Sequence, residues 1–309
     1  MTLQAYLRDA QLRLEASGIA GPEATRDADL LARHALGWDR ATLIARKVEV
    51  APTGFSDAYA ALIVRRARRE PIAYIRGVQE FWGRDFLVRH GVLIPRPESE
   101  LIIEEALRWA GGRTAGTPLP VLDIGTGSGC LAVTLALELP GASVSATDVS
   151  VDALEVAREN AGRLGAGVSL HAGSCVADAA GPFELVVSNP PYVTAAEHRA
   201  LQPEVRDHEP TAALVGGVDG LGVVREVIQG AAEVLAPAGL LLVEIGLGQA
   251  DAAARIVADT EGLTLLRIRP DLQGIPRVVV AERTAISSES AASDPGGSGW
   301  DPSTDPCSR

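Results

Sequence analysis

Ser188-Asn189-Pro190-Pro191-Tyr192 closes the apolar run Phe183 to Val187 with a rigid polar corner. Two adjacent prolines fix φ near −65° and remove two backbone donors, so the carbonyls around them are left to accept from a ligand. A planar NH2 group, on an amide or an adenine ring, offers two donors that the Asn189 side-chain oxygen and the Pro190 carbonyl can take together. Tyr192 is placed to stack on the planar group. Held in this way, a conjugated nitrogen has its protons pinned and its lone pair turned toward an electrophile. The tetrapeptide alone also reads as an ordinary turn with Asn189 as cap and Tyr192 as lid.

Upstream, the short apolar strand Val121-Leu122-Asp123-Ile124 runs into Gly125-Thr126-Gly127-Ser128-Gly129 and then a helical pattern from Cys130 to Leu139. Glycines between a strand and a helix put bare backbone beside a ligand at a helix N-terminus, as in nucleotide-binding α/β sheets. Their spacing separates the possible cofactors. The dinucleotide fingerprint needs glycine at its first, third and sixth positions, and here the sixth is Cys130; no Gly-Lys-Ser/Thr follows, as a Walker loop requires. Asp148 ends the next strand, Ala142 to Thr147, about twenty residues on, where an acidic side chain commonly takes ribose hydroxyls. This layout is similar to the S-adenosylmethionine site of class I methyltransferases.

The elements that must position these groups fit within 309 residues, enough for two domains and a sizeable core. No apolar run approaches the roughly 20 residues of a membrane span, and Arg8, Asp9 and Arg13 interrupt the N-terminus as no signal peptide would allow. A cytoplasmic protein is expected. Cys130, Cys175 and Cys307 lie far apart without metal-ligand spacing, so neither a disulfide framework nor a metal site is indicated. Net charge is −12, with 14 Lys/Arg against 11 Asp/Glu through His90 and 14 against 29 beyond it. So acidic a catalytic part argues against an enzyme that tracks phosphates and admits a basic protein partner, although acidity also serves solubility.

Residues 1 to about 69 read as short helices. Leu3, Tyr6, Leu7, Ala10 and Leu14 recur at helical spacing, Pro22 opens a second helix that Gly37 closes, and Ser56 is placed to cap a third. On that third helix Arg65, Arg66, Arg68 and Arg69 are expected outward, as a solvated face or as a partner surface. Alternating residues from Phe81 to Ile94 suggest a β-hairpin, and Pro97 starts the next helix. From residue 120 strands and helices alternate, with a long polar loop to about Gly220 and a closing strand pair at 263–269 and 276–283. Such alternation makes a mostly parallel sheet with an antiparallel edge, in which Gly125, Asp148 and Asn189 all follow strand carboxyl ends. After Arg283 the chain turns to Ser, Pro, Gly, Asp and Thr, and a disordered tail is expected.

With these residues in view the chain resembles the HemK/PrmC family, protein-glutamine N5-methyltransferases that act on peptide chain release factors. The resemblance covers about residues 3 to 283. It rests on Glu70-Pro71 with Tyr74, Gly77 and Phe81; on Ile94-Pro95-Arg96-Pro97-Glu98; on Asp123 to Gly129; and on Asn189 to Tyr192. Val205-Arg206 with Glu209-Pro210 and Ala213-Leu214, then Gly274 with Arg277-Val278, complete it. It implies a class I, Rossmann-like methyltransferase with a seven-stranded sheet, preceded by a small helical bundle. The expected divisions are 1–75 for helical substrate recognition, 76–95 for the hairpin linker, 96–284 for the methyltransferase domain and 285–309 for the tail.

The implied reaction is transfer of a methyl group from S-adenosylmethionine to the amide nitrogen of the glutamine in the release factors' Gly-Gly-Gln motif. Asn189, Pro190 and Tyr192 are the catalytic candidates; Gly125, Thr126, Gly127, Ser128, Gly129, Asp148 and Asn189 are those for the cofactor. Arg96 and Glu98 join Asn189, Pro190, Pro191 and Tyr192 as candidate holders of the glutamine-bearing loop, with Arg206 and Glu209 also plausible. His198 and His208 read as loop residues rather than bases. One departure stands out: where the family usually has Asp beside an aromatic near the adenine, this chain has Ser174 and Cys175, with Asp178 nearby. Release factors are the expected partners of a monomer without direct nucleic-acid or membrane contact. The rival readings are an adenine-N6 nucleic-acid methyltransferase, which shares Asn-Pro-Pro-Tyr, a nonenzymatic binder of S-adenosylmethionine or release factor, and a nicotinamide dehydrogenase.

Overall fold

The computed structural model describes residues 1–113, 118–176 and 181–284; Asp178, Cys307 and the expected tail lie outside them. Apolar side chains at helical spacing form α1 (Leu3–Ala16), α2 (Gly21–Leu36), α3 (Arg40–Arg46), α4 (Phe55–Ala67) and α5 (Ile72–Arg76). Leu3, Leu14, Leu31, Leu43 and Phe55 share one buried core. Thr2 and Asp39 cap α1 and α3 through side-chain oxygens, and Gly37 ends α2 in the left-handed conformation. The cap of α4 is Gly54 rather than Ser56. The chain turns into that helix with φ of 83°, which glycine adopts without a Cβ clash, and Ser56 falls inside the first turn.

Of the arginines at 65–69, Arg68 is exposed as expected, whereas Arg66 departs from expectation. Arg66 is buried, donating from Nε to Asp27 at 2.6 Å, from Nη1 to Glu204 at 2.6 Å and from Nη2 to Glu23 at 3.0 Å. Arg69 reaches the other Glu204 oxygen at 2.7 Å, and Arg65 pairs with Glu70 at 2.5 Å. A guanidinium is tolerated inside when its forked donors are shared among carboxylates. Glu204 lies 138 residues away in sequence, beyond the reach of any periodicity argument.

Strands β1 (Val78–Phe81) and β2 (Arg84–Leu87) form an antiparallel hairpin across Trp82-Gly83. Its second arm was expected to continue toward Ile94 and instead stops at Leu87, whose backbone N–H and C=O are both taken by the Asn160 side chain. Pro97–Ser99 then make one 3-10 turn ahead of α6 (Glu100–Ala110).

Further along come β3 (Leu119–Ile124), α7 (Cys130–Glu138), β4 (Ala142–Asp148), α8 (Val151–Leu164), β5 (Val168–Ala172) and β6 (Phe183–Ser188). The expected polar loop contains α9 (Ala195–Ala200) and α10 (Pro203–His208) before α11 (Gly222–Val234). The chain closes with β7 (Leu235–Glu244), α12 (Ala250–Ala258), β8 (Leu263–Pro270) and β9 (Pro276–Arg283). Strand β7 starts earlier than expected because Leu235 already pairs with Phe183 ahead of a register shift.

Among the described residues these seven strands form one sheet in the order β5-β4-β3-β6-β7-β9-β8. Strands β5 to β7 run parallel, and β9, one in from the edge, is antiparallel to both neighbours. Val121 and Val187 face a core with Ile102 and Leu135, while Leu122 and Val186 face another with Val227 and Val257. Covering both faces explains why the central strands are apolar throughout. Parallel β3, β4, β5 and β6 bring Gly125, Asp148, Gly173 and Asn189 to one edge. No helix among the described residues is long and apolar enough to cross a membrane.

Arg66→Met removes the shared cation and leaves Asp27 and Glu204 facing each other inside; a loss of about 3 to 5 kcal/mol is expected in urea unfolding. Burial raises the Glu204 carboxyl, but the bonds from Arg69 and Arg66 outweigh it and hold the group below its ordinary 4.5. That contribution is therefore complete above pH 4.5 and disappears as pH falls through the lower folded value. Unchanged unfolding of Arg66→Met at pH 7 would contradict this assignment.

Candidate active site

The glycine loop is held from below by Asp123. Its Oδ2 accepts from the Thr126 hydroxyl at 2.7 Å and from the Ala132 N–H at 3.2 Å, joining strand end, loop and first turn of α7. Burial pushes this carboxyl up to about 7, with Thr126 and Ala132 opposing. Gly125 and Gly127 are left-handed, with nothing within 4 Å of where a Cβ would stand, so the backbone lies open to the space above it. Gly129 serves packing instead, since a Cβ there would stand 3.1 Å from Ala157 Cβ.

Asp148 closes the loop from the neighbouring strand. Oδ2 accepts from the Gly127 N–H and Oδ1 from the Ser150 N–H, both at 2.8 Å, which leaves each oxygen a lone pair for a ligand hydroxyl. A cavity of about 330 Å³ opens over these groups, lined by Gly125 to Ser128, Asp148, Ser174, Cys175 and Asn189 to Pro191, among others. The Ser128 hydroxyl is buried without a partner among the described residues. A carboxylate for ribose hydroxyls, an orphaned hydroxyl and open glycine backbone suit S-adenosylmethionine. Cys130 and Cys175 line the same cavity, and burial raises both thiols, Cys130 to about 12.

Asn189 and Pro190 sit at the wall beside the glycine loop. The turn is fixed on its far side: Val193 donates to the Leu214 carbonyl, Gly216 to the Val193 carbonyl, and Gln249 Nε2 to the Tyr192 carbonyl, all at 2.9 Å. Only glycine fits at 216 and 220, where an added Cβ would stand 2.3 Å from the carbonyl oxygens of Pro191 and Tyr192. Among the described residues nothing donates to the Pro190 carbonyl. Asn189 Nδ2 donates to Ser99 Oγ at 2.8 Å, so its side-chain oxygen remains available.

Tyr192 does not line the cavity. Its hydroxyl donates to Glu244 Oε1 at 3.2 Å, and a Cβ on Gly246 would stand 3.0 Å from its ring. Burial, then Glu244, raises the phenol above its ordinary range.

Arg96 and Glu98 are likewise absent from the walls. Arg96 pairs with Glu209 at 2.6 Å, and Glu209 also accepts from the Ile94 N–H, tying this segment to the end of α10. Arg206 pairs with its neighbour Asp207. His198 and His208 lie on α9 and α10, away from the cavity lining.

Three residues went unnoticed in the sequence. Ser99, at the cavity wall beside Asn189, and Glu244, deeper in, are both buried and joined at 2.6 Å; burial raises Glu244 to about 7, opposed by Ser99 and Tyr192. A lone Glu ending the apolar run Leu240 to Val243 was their only signal. Glu226, on α11, lines the cavity, and its charge reaches the Cys175 thiol. With Asp148 it is one of two carboxylates in the wall among the described residues.

Comparison with known proteins identifies the family. Residues 5–77 match the family model of the PrmC N-terminal domain, and residues 114–205 that of the methyltransferase small domain. The release factor glutamine methyltransferase of Geobacter sulfurreducens is 45% identical over 83% of this chain and 88% of its own. That of Koribacter versatilis is 40% identical over 92% of this chain and 99% of its own. A methyltransferase structure from Pyrococcus furiosus, 19% identical, superposes with a TM-score of 0.50 over 74% of this chain and 100% of that one, a likeness of fold. The chain belongs to the family of release factor glutamine methyltransferases, S-adenosylmethionine-dependent enzymes built on the class I methyltransferase fold.

Proposed function

We propose that this protein methylates the side-chain amide nitrogen of the glutamine in the Gly-Gly-Gln motif of peptide chain release factors, with S-adenosylmethionine as donor. The observation that carries this reading is the pair of uncommitted acceptors at one corner, the Asn189 oxygen and the Pro190 carbonyl, beside the cavity. They match the two N–H donors of a primary amide.

An amide nitrogen is a poor nucleophile because its lone pair is delocalised into the carbonyl, as in the peptide bond. Asn189 and Pro190 hold both protons and stabilise positive charge as it develops on nitrogen. The cofactor supplies an electrophilic methyl group and a neutral leaving group. Fixed alignment can contribute up to about 7 to 11 kcal/mol. No general base is needed, since the methylated nitrogen becomes acidic and releases its proton to solvent.

In this reading Gly125 to Ser128 and Asp148 hold the cofactor, and Ser174, Cys175 and Glu226 receive its adenine. Glu226 then supplies the carboxylate that Ser174 and Cys175 lack. Tyr192 supports the corner from behind, while Arg96 and Glu98 flank the path of the glutamine-bearing loop. The helical segment through residue 75 recognises the release factor, and the enzyme works as a monomer. An adenine amino group in nucleic acid suits the same corner, but a net charge of −12 disfavours a phosphate-tracking surface.

Asn189→Ala is expected to bind S-adenosylmethionine as the wild type does while losing at least about 100-fold in turnover. Gly127→Val, forced to a φ of 56°, should lose both. Calorimetry and a radiolabelled methyl assay on a purified release factor read these effects, and normal turnover of Asn189→Ala would refute the mechanism. Glu226→Ala should weaken cofactor binding by about 10- to 100-fold, the value of a hydrogen bond to a charged group; unchanged affinity would leave the adenine to Ser174 and Cys175.

A further inference from the structure

Four side chains from three parts of the chain form one line of hydrogen bonds that runs from the cavity wall into the interior. Asn189 Nδ2 donates to Ser99 Oγ at 2.8 Å, Ser99 Oγ donates to Glu244 Oε2 at 2.6 Å, and the Tyr192 hydroxyl donates to Glu244 Oε1 at 3.2 Å. Ser99 and Glu244 are 2% and 1% exposed, so bulk water does not compete for these bonds. A serine hydroxyl has one proton to give. While it goes to the Glu244 carboxylate, Oγ can only accept from Asn189. The asparagine must then turn its NH2 inward and its oxygen toward the cavity.

Protonation of Glu244 lifts that constraint. Its proton can pass to Ser99 Oγ as a donated hydrogen bond, and the Ser99 proton then points at Asn189. The asparagine amide answers by rotating half a turn, bringing its oxygen to Ser99 and its NH2 to the cavity. A substrate amide would meet a donor where it needs an acceptor.

We propose that Glu244 is a positioning residue for methyl transfer: acting through Ser99, its carboxylate decides which atom Asn189 offers to the substrate. This rests on the reading of Asn189 as acceptor for the substrate amide. The groups facing Glu244 are Ser99 and Glu98 from the turn before α6, Tyr192 from the corner, Arg277 from β9 and Cys130 from α7. Burial is the largest influence and raises the carboxyl; Ser99 and Tyr192 oppose it, Glu98 adds to it, Arg277 subtracts, and the result lies at about 7. The group is ionised above that pH, setting Asn189 as an acceptor, and neutral below it, releasing the setting.

The chain contains two asparagines, Asn160 and Asn189, which makes the test direct. Asparagine-selective 15N labelling gives two side-chain NH2 signals, assigned by Asn189→Ala. Asn160 is the internal control, because its NH2 donates to the Leu87 and Ser128 carbonyls and to no carboxylate. The Asn189 signal should titrate with a midpoint near 7, lose that titration in both Glu244→Gln and Ser99→Ala, and regain it in Ser99→Thr. An Asn189 signal indifferent to pH, or one titrating equally in Glu244→Gln, overturns the proposal whatever the protein methylates.

Kinetics supply the second reading. In the wild type kcat should fall with pH through about 7, and this acid limb should vanish in Glu244→Gln. Ser99→Ala should lower kcat by about 10- to 100-fold, with recovery in Ser99→Thr. A limb that survives in Glu244→Gln counts against the proposal. A wild type that methylates no release factor counts against the proposed function alone, since the NMR titration still judges Glu244.

Discussion

Between Ser188 and Tyr192 the backbone contains two prolines and therefore carbonyls that no neighbouring strand or helix claims. Much of the sheet half can be understood as support for that one uncommitted set of acceptors. Strand β6 delivers it to the carboxyl edge of a parallel sheet, beside the glycine loop of β3. The glycines at 216 and 220 let a second loop approach its far side more closely than any side chain would permit. Ser99 and Glu244 hold Asn189 from within. The corner is thus held while, among the described residues, no group donates to the Pro190 carbonyl or to the Asn189 side-chain oxygen.

A second theme is charge enclosed on purpose. Asp123, Glu244, Arg66 and Glu204 are all buried; Asp123 ties neighbouring elements together, and the other three join elements that are distant in sequence. Asp123 binds loop to helix, while Arg66 and Arg69 of the helical segment grip Glu204 on α10. Glu209 does the same for Arg96. Buried polar groups of this kind specify one arrangement because a half-satisfied alternative is costly. Such bonds join the helical segment to α10, in the stretch of chain that follows β6.

The residues legible in the sequence were those whose meaning is local. Gly125 to Gly129 and Asn189 to Tyr192 carry their geometry in their own backbone preferences, and Asp148 was found by its distance from the loop along the chain. Alternation of strand and helix predicted the parallel sheet for the same reason. What stayed hidden depended on partners far away. Arg66 looked like one more surface arginine because Asp27 and Glu204 are 39 and 138 residues off. Ser99 lies just past the expected helix start at Pro97, Glu244 at the end of an apolar run, and Glu226 in a stretch with no pattern of its own. The plain turn reading of Tyr192 was closer to its placement than a stacking role, since its hydroxyl belongs to Glu244 and its ring to the packing beneath the corner.

The most direct test of the account is intact-protein and peptide mass spectrometry of a purified release factor incubated with this protein and S-adenosylmethionine. A second sample carries alanine in place of the Gly-Gly-Gln glutamine. The account predicts a single methyl increment located on that glutamine and absent from the alanine variant. An increment that persists in the variant, or none at all while cofactor binding is confirmed, would contradict it.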